Sequence, residues 1–297
     1  MPDYDRSDPD LGNPANAWTH VVRHVGTGKS VLDLGCWDGL LLETLGGRGC
    51  RGVGVERDPA ALGRARARGL EVVEADLDDP SWPERLGGRR FDAVVMADVV
   101  EHVREPERVL AEASRCLAPG GALVLSVPNV AHASVRLSLL LGDFDPVEKG
   151  ILDRTHLHWF TLRSLHAMLR SAGLRIDELS RSTLDLPEEV AAKSLERAGI
   201  ADPAVSRWLA TAPETETLQF VVTARPAPLA EIPEAPPATA RDPLRLLDRV
   251  FRTQRTKILE LEERLAYLEK GKGFRTLRSL WIRLRQRRER RGQSRTP

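Results

Sequence analysis

Residues Val31–Gly39 read VLDLGCWDG, a short apolar run carrying one acid that enters a turn with two glycines. At the carboxyl end of the first strand of a parallel sheet, such glycines let the backbone approach a ligand. The helix that follows offers unpaired N–H groups to it. Trp37 occupies a place where such turns usually hold a small residue. It is expected to be tolerated if its backbone keeps φ negative and its ring turns away from the cleft. The alternative is a purely structural turn in a domain that binds nothing. Glu56 bears on the choice, because it lies 21 residues after Gly35 at the end of the next apolar run. A carboxylate there can take two ribose hydroxyls in bidentate fashion.

Outward from this stretch, residues up to about 224 alternate short apolar runs with amphipathic stretches, the pattern of a parallel sheet covered by helices. The expected strands are 30–35, 52–56, 70–76, 91–98 and 121–128, followed by 174–180 and 217–225. Helices are expected at 59–69 and 106–117, the second stopped by Pro119, Gly120 and Gly121. A polar, helix-prone insert occupies about 186–211. The fold class is therefore α/β: a Rossmann-like, doubly wound, seven-stranded sheet, followed by a Pro-rich linker and a C-terminal coiled coil and basic helix.

The 297 residues are 41% hydrophobic, enough to bury a sizeable core. Cys36, Cys50 and Cys116 show no metal or redox spacing, and three scattered thiols fit a reducing cytosol. The first residues are acidic and polar, so no secretory signal is expected, and no run of about 18 apolar residues is present to span a bilayer. A cytoplasmic protein is expected, with a peripheral place on the inner face of the membrane left open. Residues 272–297 hold ten Lys or Arg and one Glu, a local charge of +9 in a chain of net charge +1, so residues 1–271 carry −8.

Asp33, Glu56, Asp76 with Leu77, the segment from Phe91 through DVVEH (98–102), and LAPGGALVLSVPN (117–129) together resemble the class I S-adenosylmethionine (SAM)-dependent methyltransferases. The resemblance covers roughly residues 14–224 in order and spacing. Dehydrogenases with a GxGxxG loop lack both the DVVEH motif and the LxPGG turn. The resemblance implies SAM as cofactor, with Asp33, Gly35 and Gly39 bordering its methionine part. It implies Glu56 on the ribose and Asp76 with Leu77 beside the adenine. Cys36, Asp38, Arg57, Ala97 and Asp98 complete the implied cofactor-contacting set.

Methyl transfer from a sulfonium mainly requires alignment of the acceptor and, for a hydroxyl, removal of its proton. Histidine is the natural base at neutral pH. His102 either starts the helix after DVVEH or lies at the transfer cleft. His132 either caps the helix over 134–142 or lines the acceptor pocket. The segment GILDRTHLHWFTLRSL (150–165) clusters Asp153, His156 and His158 beside Trp159 and Phe160. It resembles a bacterial subgroup associated with glycan and cell-envelope synthesis, in which it forms the acceptor side of the cleft. The alternative is a loop whose polar residues only bond the backbone. His156 is the first candidate for general base, with Asp153 orienting it or binding substrate. No set of carboxylates and histidines shows metal-ligand spacing, so no metal is expected.

Six prolines in 225–243 mark an extended linker. Leu244, Leu247, Phe251, Gln254, Ile258, Leu261, Leu265 and Leu268 follow the heptad pattern of a coiled coil over 244–270, a route to a homodimer. The basic stretch 274–291 places Phe274, Leu277, Trp281 and Leu284 on one face. It resembles the ends of envelope glycosyltransferases and methyltransferases and suits anionic lipid, or simply solvent. Nucleic acid is disfavoured, since no RNA-binding motif accompanies the arginines. The expected function is methylation of a hydroxyl on a sugar or glycan precursor. A methyltransferase for a small secondary metabolite and a non-catalytic SAM-binding scaffold are the alternatives.

Overall fold

The structure, a computed structural model, describes residues 11, 13, 15–200 and 202–236. The coiled coil and basic helix expected at 244–270 and 274–291, and the linker beyond residue 236, lie outside the described residues.

Seven strands form one sheet: β1 (Ser30–Leu34), β2 (Arg51–Glu56), β3 (Glu71–Glu74), β4 (Phe91–Ala97), β5 (Leu117–Pro128), β6 (Leu174–Thr183) and β7 (Thr217–Pro226). Their order across the sheet is β3-β2-β1-β4-β5-β7-β6. The first five strands pair in parallel. β1, β2 and β4 are near-continuous apolar runs because helices bury both of their faces. Alternate residues of each strand feed two separate cores. On one face Leu32, Leu34, Val94 and Met96 pack with Val109 and Leu110 of α4 (Pro106–Arg115) and with Leu165 and Leu169 of a helix over 162–171. On the other, Val31, Val95 and Val124 meet Val21, Val22 and Val25 of a helix over 17–25 and Leu41, Leu42 and Leu45 of a helix over 40–46.

The sheet is mixed, where the sequence pattern predicts a parallel one, since β7 runs antiparallel to both β5 and β6. The reason lies in the insert between β6 and β7. Its two helices, 188–197 and 203–211, leave and return at the same end of the sheet. Thr183 pairs with Thr217, and the Leu184 N–H donates to the Glu216 carbonyl at 2.8 Å. A chain that returns to its starting end forms an antiparallel pair.

The segment LAPGG also differs from expectation. α4 ends at Arg115 and β5 begins at Leu117, so Pro119, Gly120 and Gly121 lie inside a strand. Phe91 pairs with Leu117 and Ala93 with Ala122, which leaves residues 118–121 opposite Asp92 as a bulge. Gly120 takes φ 78°, and a Cβ on Gly121 would meet the carbonyl oxygens of Phe91 at 2.9 Å and Ala118 at 3.0 Å. At the other boundary β7 runs to Pro226 and Ile232 is buried, so packed structure continues past the expected domain end at 224 into the Pro-rich stretch. No helix among the described residues is long and apolar enough to cross a membrane.

The bulge generates a test. Gly121→Ala forces a methyl against backbone that cannot rotate away, and is expected to cost about 1–3 kcal/mol of stability. Urea denaturation measures it; an unchanged midpoint would mean that the bulge relaxes freely.

Candidate active site

β1 connects toward β2 on one side while its other neighbour is β4, so the sheet changes winding direction at the carboxyl end of β1. Open α/β sheets bind their ligands in the crevice at that point. A cavity of about 450 Å³ lies there, lined by residues that follow β1, β2, β3 and β4.

Its organising group is Glu56, the last residue of β2, which is largely buried. One carboxylate oxygen accepts the Trp37 N–H at 3.0 Å; the other accepts those of Arg57 at 2.7 Å and Asp58 at 2.8 Å. Asp58 in turn caps α3 (Pro59–Ala67) by accepting the Ala61 N–H at 2.8 Å. The glycine turn is thereby tied to the end of β2. Gly35 has φ 72°, and a Cβ there would lie 2.8 Å from a Val99 methyl carbon. Gly39 takes φ 80° as it enters the helix over 40–46 and does not itself line the cavity.

Trp37 departs from expectation in its backbone. Its φ is +50°, in the left-handed region that favours glycine. Its ring condition is met in part: the Arg64 guanidinium of α3 lies over the ring, 5.2 Å from its centroid, although Trp37 also lines the cavity. The N–H bond to Glu56 and this cation–π contact both help to hold the residue in place.

The other expected cofactor residues gather as follows. Asp33, at the end of β1, is buried and faces the cavity. Asp38 pairs with Arg68 at 3.2 Å. Cys36 packs its sulfur where a Cβ on Gly54 would sit, and burial, then Asp33 and Glu56, push its thiol up. Asp76 bonds the Asp78 N–H at 3.0 Å and lies 3.5 Å from the Arg57 guanidinium. Leu77 and Ala97 complete that wall. Asp98 has φ +56°, and its carboxylate accepts from the Ser126 hydroxyl at 3.0 Å and the Gln219 amide at 2.7 Å. Gln219 is a cavity residue that sequence reading missed, because β7 reaches the site only through the mixed topology.

The far end of the cavity brings together His102, on a 3₁₀ turn over 100–102, and His156, from the loop before the helix over 162–171. Their rings meet edge to face, centroids 4.8 Å apart. Asp153 was expected to orient His156 or to bind substrate. Its carboxylate accepts from the Thr155 N–H at 2.8 Å and hydroxyl at 2.7 Å, and the His156 Nδ1 lies 3.0 Å from the Ile151 carbonyl instead. Burial, with His102 second, holds His156 below the usual histidine range.

His132 lies outside the cavity. It caps the helix over 133–141, with Nδ1 accepting the Ser134 N–H at 3.2 Å and Nε2 2.7 Å from the Leu184 carbonyl. Both ring nitrogens are engaged, which leaves none for an acceptor.

Glu101 was given no role by its sequence position. It is wholly buried, lines the cavity, and neither carboxylate oxygen has a hydrogen-bond partner among the described residues. Burial, then Asp98 and Asp153, push its carboxyl well above the usual range. The available signal was a charged residue set between the apolar pair Val99–Val100 and Val103. Glu101, His102 and His156 present ligand atoms within 4.8 Å of one another, a gathering that chain spacing does not reveal.

Residues 16–179 match the family described as "Methyltransferase domain". The ubiquinone biosynthesis O-methyltransferase of Xylella fastidiosa (strain 9a5c) is 30% identical over 159 residues, covering 52% of this chain and 64% of that protein. The enzyme of the same name from Hahella chejuensis is 33% identical over 162 residues, covering 52% and 67%. The chain thus spans slightly less than two thirds of the Xylella relative. Among solved structures, the CcbJ methyltransferase from Streptomyces caelestis is 17% identical, with 76% of this chain and 95% of that chain covered and a TM-score of 0.49. A methyltransferase structure from Bacillus halodurans is 17% identical, covering 73% and 99%, with a TM-score of 0.48.

The left-handed Trp37 yields a measurable inversion. Trp37→Ala removes the ring but keeps the strain, whereas Trp37→Gly removes both. The glycine variant is expected to be the more stable of the two by about 1 kcal/mol, the reverse of the usual order. Thermal denaturation of the pair decides it, and an alanine variant more stable than the glycine would contradict the strained backbone.

Proposed function

The chain belongs to the methyltransferase domain family, whose methyl donor is SAM, and on that premise we propose that it methylates a hydroxyl oxygen on a small acceptor with a largely apolar skeleton. The observation that carries the reading is the pairing, in one cavity, of a Glu56 seat at one end with Glu101, His102 and His156 at the other.

The residues present fit the donor. Glu56 is held by three N–H groups, yet the oxygen bonded to Trp37 keeps acceptor capacity for a ribose hydroxyl. A side chain at Gly35 would crowd Val99 at the cavity wall, so the turn is kept open there. The acids Asp33 and Asp98 border the path between the two ends and suit a positively charged ligand. When bound, SAM supplies a methyl group already activated by its sulfonium. The protein's remaining task is to orient the acceptor and receive the hydroxyl proton.

The relatives named as O-methyltransferases support oxygen as the acceptor atom. Trp18, Val99, Val103, Ile151 and Leu218 supply carbon surface to the same cavity. That lining supports a phenol or a comparable hydroxyl over a sugar, whose remaining hydroxyls would face carbon without partners. The glycan precursor expected from residues 150–165 is therefore the second choice of acceptor. Membrane contact through 274–291 and pairing through 244–270 remain separate proposals, resting on sequence pattern alone.

The test is methyl transfer from labelled SAM to a panel of phenols and sugar nucleotides. Label is expected on a phenolic oxygen, and transfer confined to sugars would overturn the acceptor assignment. Glu56→Ala is expected to raise the KM for SAM at least about tenfold, the loss of one charge-assisted hydrogen bond. An unchanged KM would remove Glu56 from the donor seat.

A further inference from the structure

Glu101 poses a chemical problem that methyl transfer alone does not explain. A wholly buried carboxylate ordinarily carries a cation or several donors, because burial without them is costly. Here both oxygens lack any hydrogen-bond partner among the described residues, while the backbone carbonyl of the same residue accepts the N–H groups of Leu157 at 2.8 Å and His158 at 3.2 Å. The residue is fixed in place by its backbone, with both carboxyl oxygens buried at the cavity wall.

The two histidines beside it are arranged in a complementary way. The His156 Nδ1 faces the Ile151 carbonyl at 3.0 Å, and a carbonyl only accepts, so this nitrogen carries the proton. The His102 Nδ1 lies 3.2 Å from the Thr155 carbonyl and 3.2 Å from the Thr155 hydroxyl oxygen, whose own hydrogen is directed to Asp153. Both neighbours of that nitrogen are acceptors, and it too is the protonated one. In the neutral form of each ring Nε2 then carries the lone pair. A histidine whose Nδ1–H is held by a backbone carbonyl is the usual form of a metal ligand, with tautomer and ring direction fixed beforehand.

We propose that Glu101, His102 and His156 form a site for one divalent first-row transition cation, with open coordination positions facing the cavity. Two imidazole nitrogens and one carboxylate oxygen are the donors of a facial triad and favour manganese, iron, cobalt, nickel or zinc over the all-oxygen preference of magnesium and calcium. One ring nitrogen of each histidine and one carboxylate oxygen lie within 4.8 Å of one another, close enough to converge on one ion by side-chain rotation. Asp98 and Asp153 add negative charge around the site. The ligands come from two segments, the 3₁₀ turn over 100–102 that follows β4 and the loop over 150–156, so the cation would also fasten that loop to the turn.

The consequence for chemistry rests on the methyl-transfer reading. An acceptor hydroxyl bound at an open position has its acidity raised. Its proton leaves to water, an oxygen lone pair forms the bond to the methyl carbon, and the carbon–sulfur electron pair returns to sulfur as a neutral thioether. In this arrangement His156 serves as a ligand in place of a free base.

The test uses the full chain after EDTA treatment, titrated with Co²⁺ by calorimetry and visible absorption, with SAM binding measured in parallel. One Co²⁺ per chain is expected. Glu101→Gln and His156→Gln are expected to weaken it at least about tenfold, a loss that even second-shell partners commonly produce, while SAM affinity stays within about twofold. Where Glu101→Gln disturbs SAM binding, His102→Gln on the half-buried ligand repeats the comparison. Absence of Co²⁺ binding by the unaltered chain, or equal affinity in the variants, would overturn the site and leave the methyltransferase reading standing. Stoichiometric Co²⁺ binding without transfer to any hydroxyl would uphold the site and remove the acceptor reading.

Discussion

Glu56 accepts three backbone N–H groups with its carboxylate, and the geometry of this end of the cavity follows from that. One N–H comes from the turn after β1 and two from the start of the segment leading to α3, so a single side chain fixes two adjacent strand ends relative to each other. Hydrogen bonds to a charged group contribute about 1.5–3 kcal/mol each, whereas a left-handed non-glycine backbone costs about 1–2 kcal/mol. The bond from Trp37 is therefore strong enough to hold that residue at φ +50°. Strain in the turn is thus offset where it arises, and the crevice at the change of winding stays open.

The opposite end of the cavity is built by different means. Its groups come from the turn after β4 and from a loop more than fifty residues later, joined where the Glu101 carbonyl takes two N–H groups of that loop. The loop is further anchored by the Val130 N–H bonding the Phe160 carbonyl at 2.8 Å. Long-range closure places Glu101 beside two imidazoles and two further acids, and its burial makes the cluster electrostatically demanding. A cavity with Glu56 at one end and a polar cluster at the other suits the alignment of two reactants that the proposed transfer requires.

The strands were legible because burial on both faces leaves continuous apolar runs, and Glu56 was legible because a fixed spacing carries it to the end of β2. Four features were not. The antiparallel β7 depends on where an insert returns, which periodicity does not encode. LAPGG reads as a helix stop, since proline and glycine interrupt both helices and strands, and only pairing with Phe91 and Ala93 reveals the bulge. His132 and Asp153 are polar residues in polar surroundings, and which local backbone group each one bonds is decided by turns that the residue types do not specify. Glu101 escaped because its neighbour His102 offered the more familiar chemistry, and its lack of partners exists only in the folded chain.

The most direct measurement of the central claim is calorimetric titration of SAM into the purified protein and into Glu56→Ala. Saturable binding of one SAM per chain, lost or greatly weakened in the variant, is the predicted result. Absence of SAM binding by the unaltered protein would contradict the account of the cavity as a donor site.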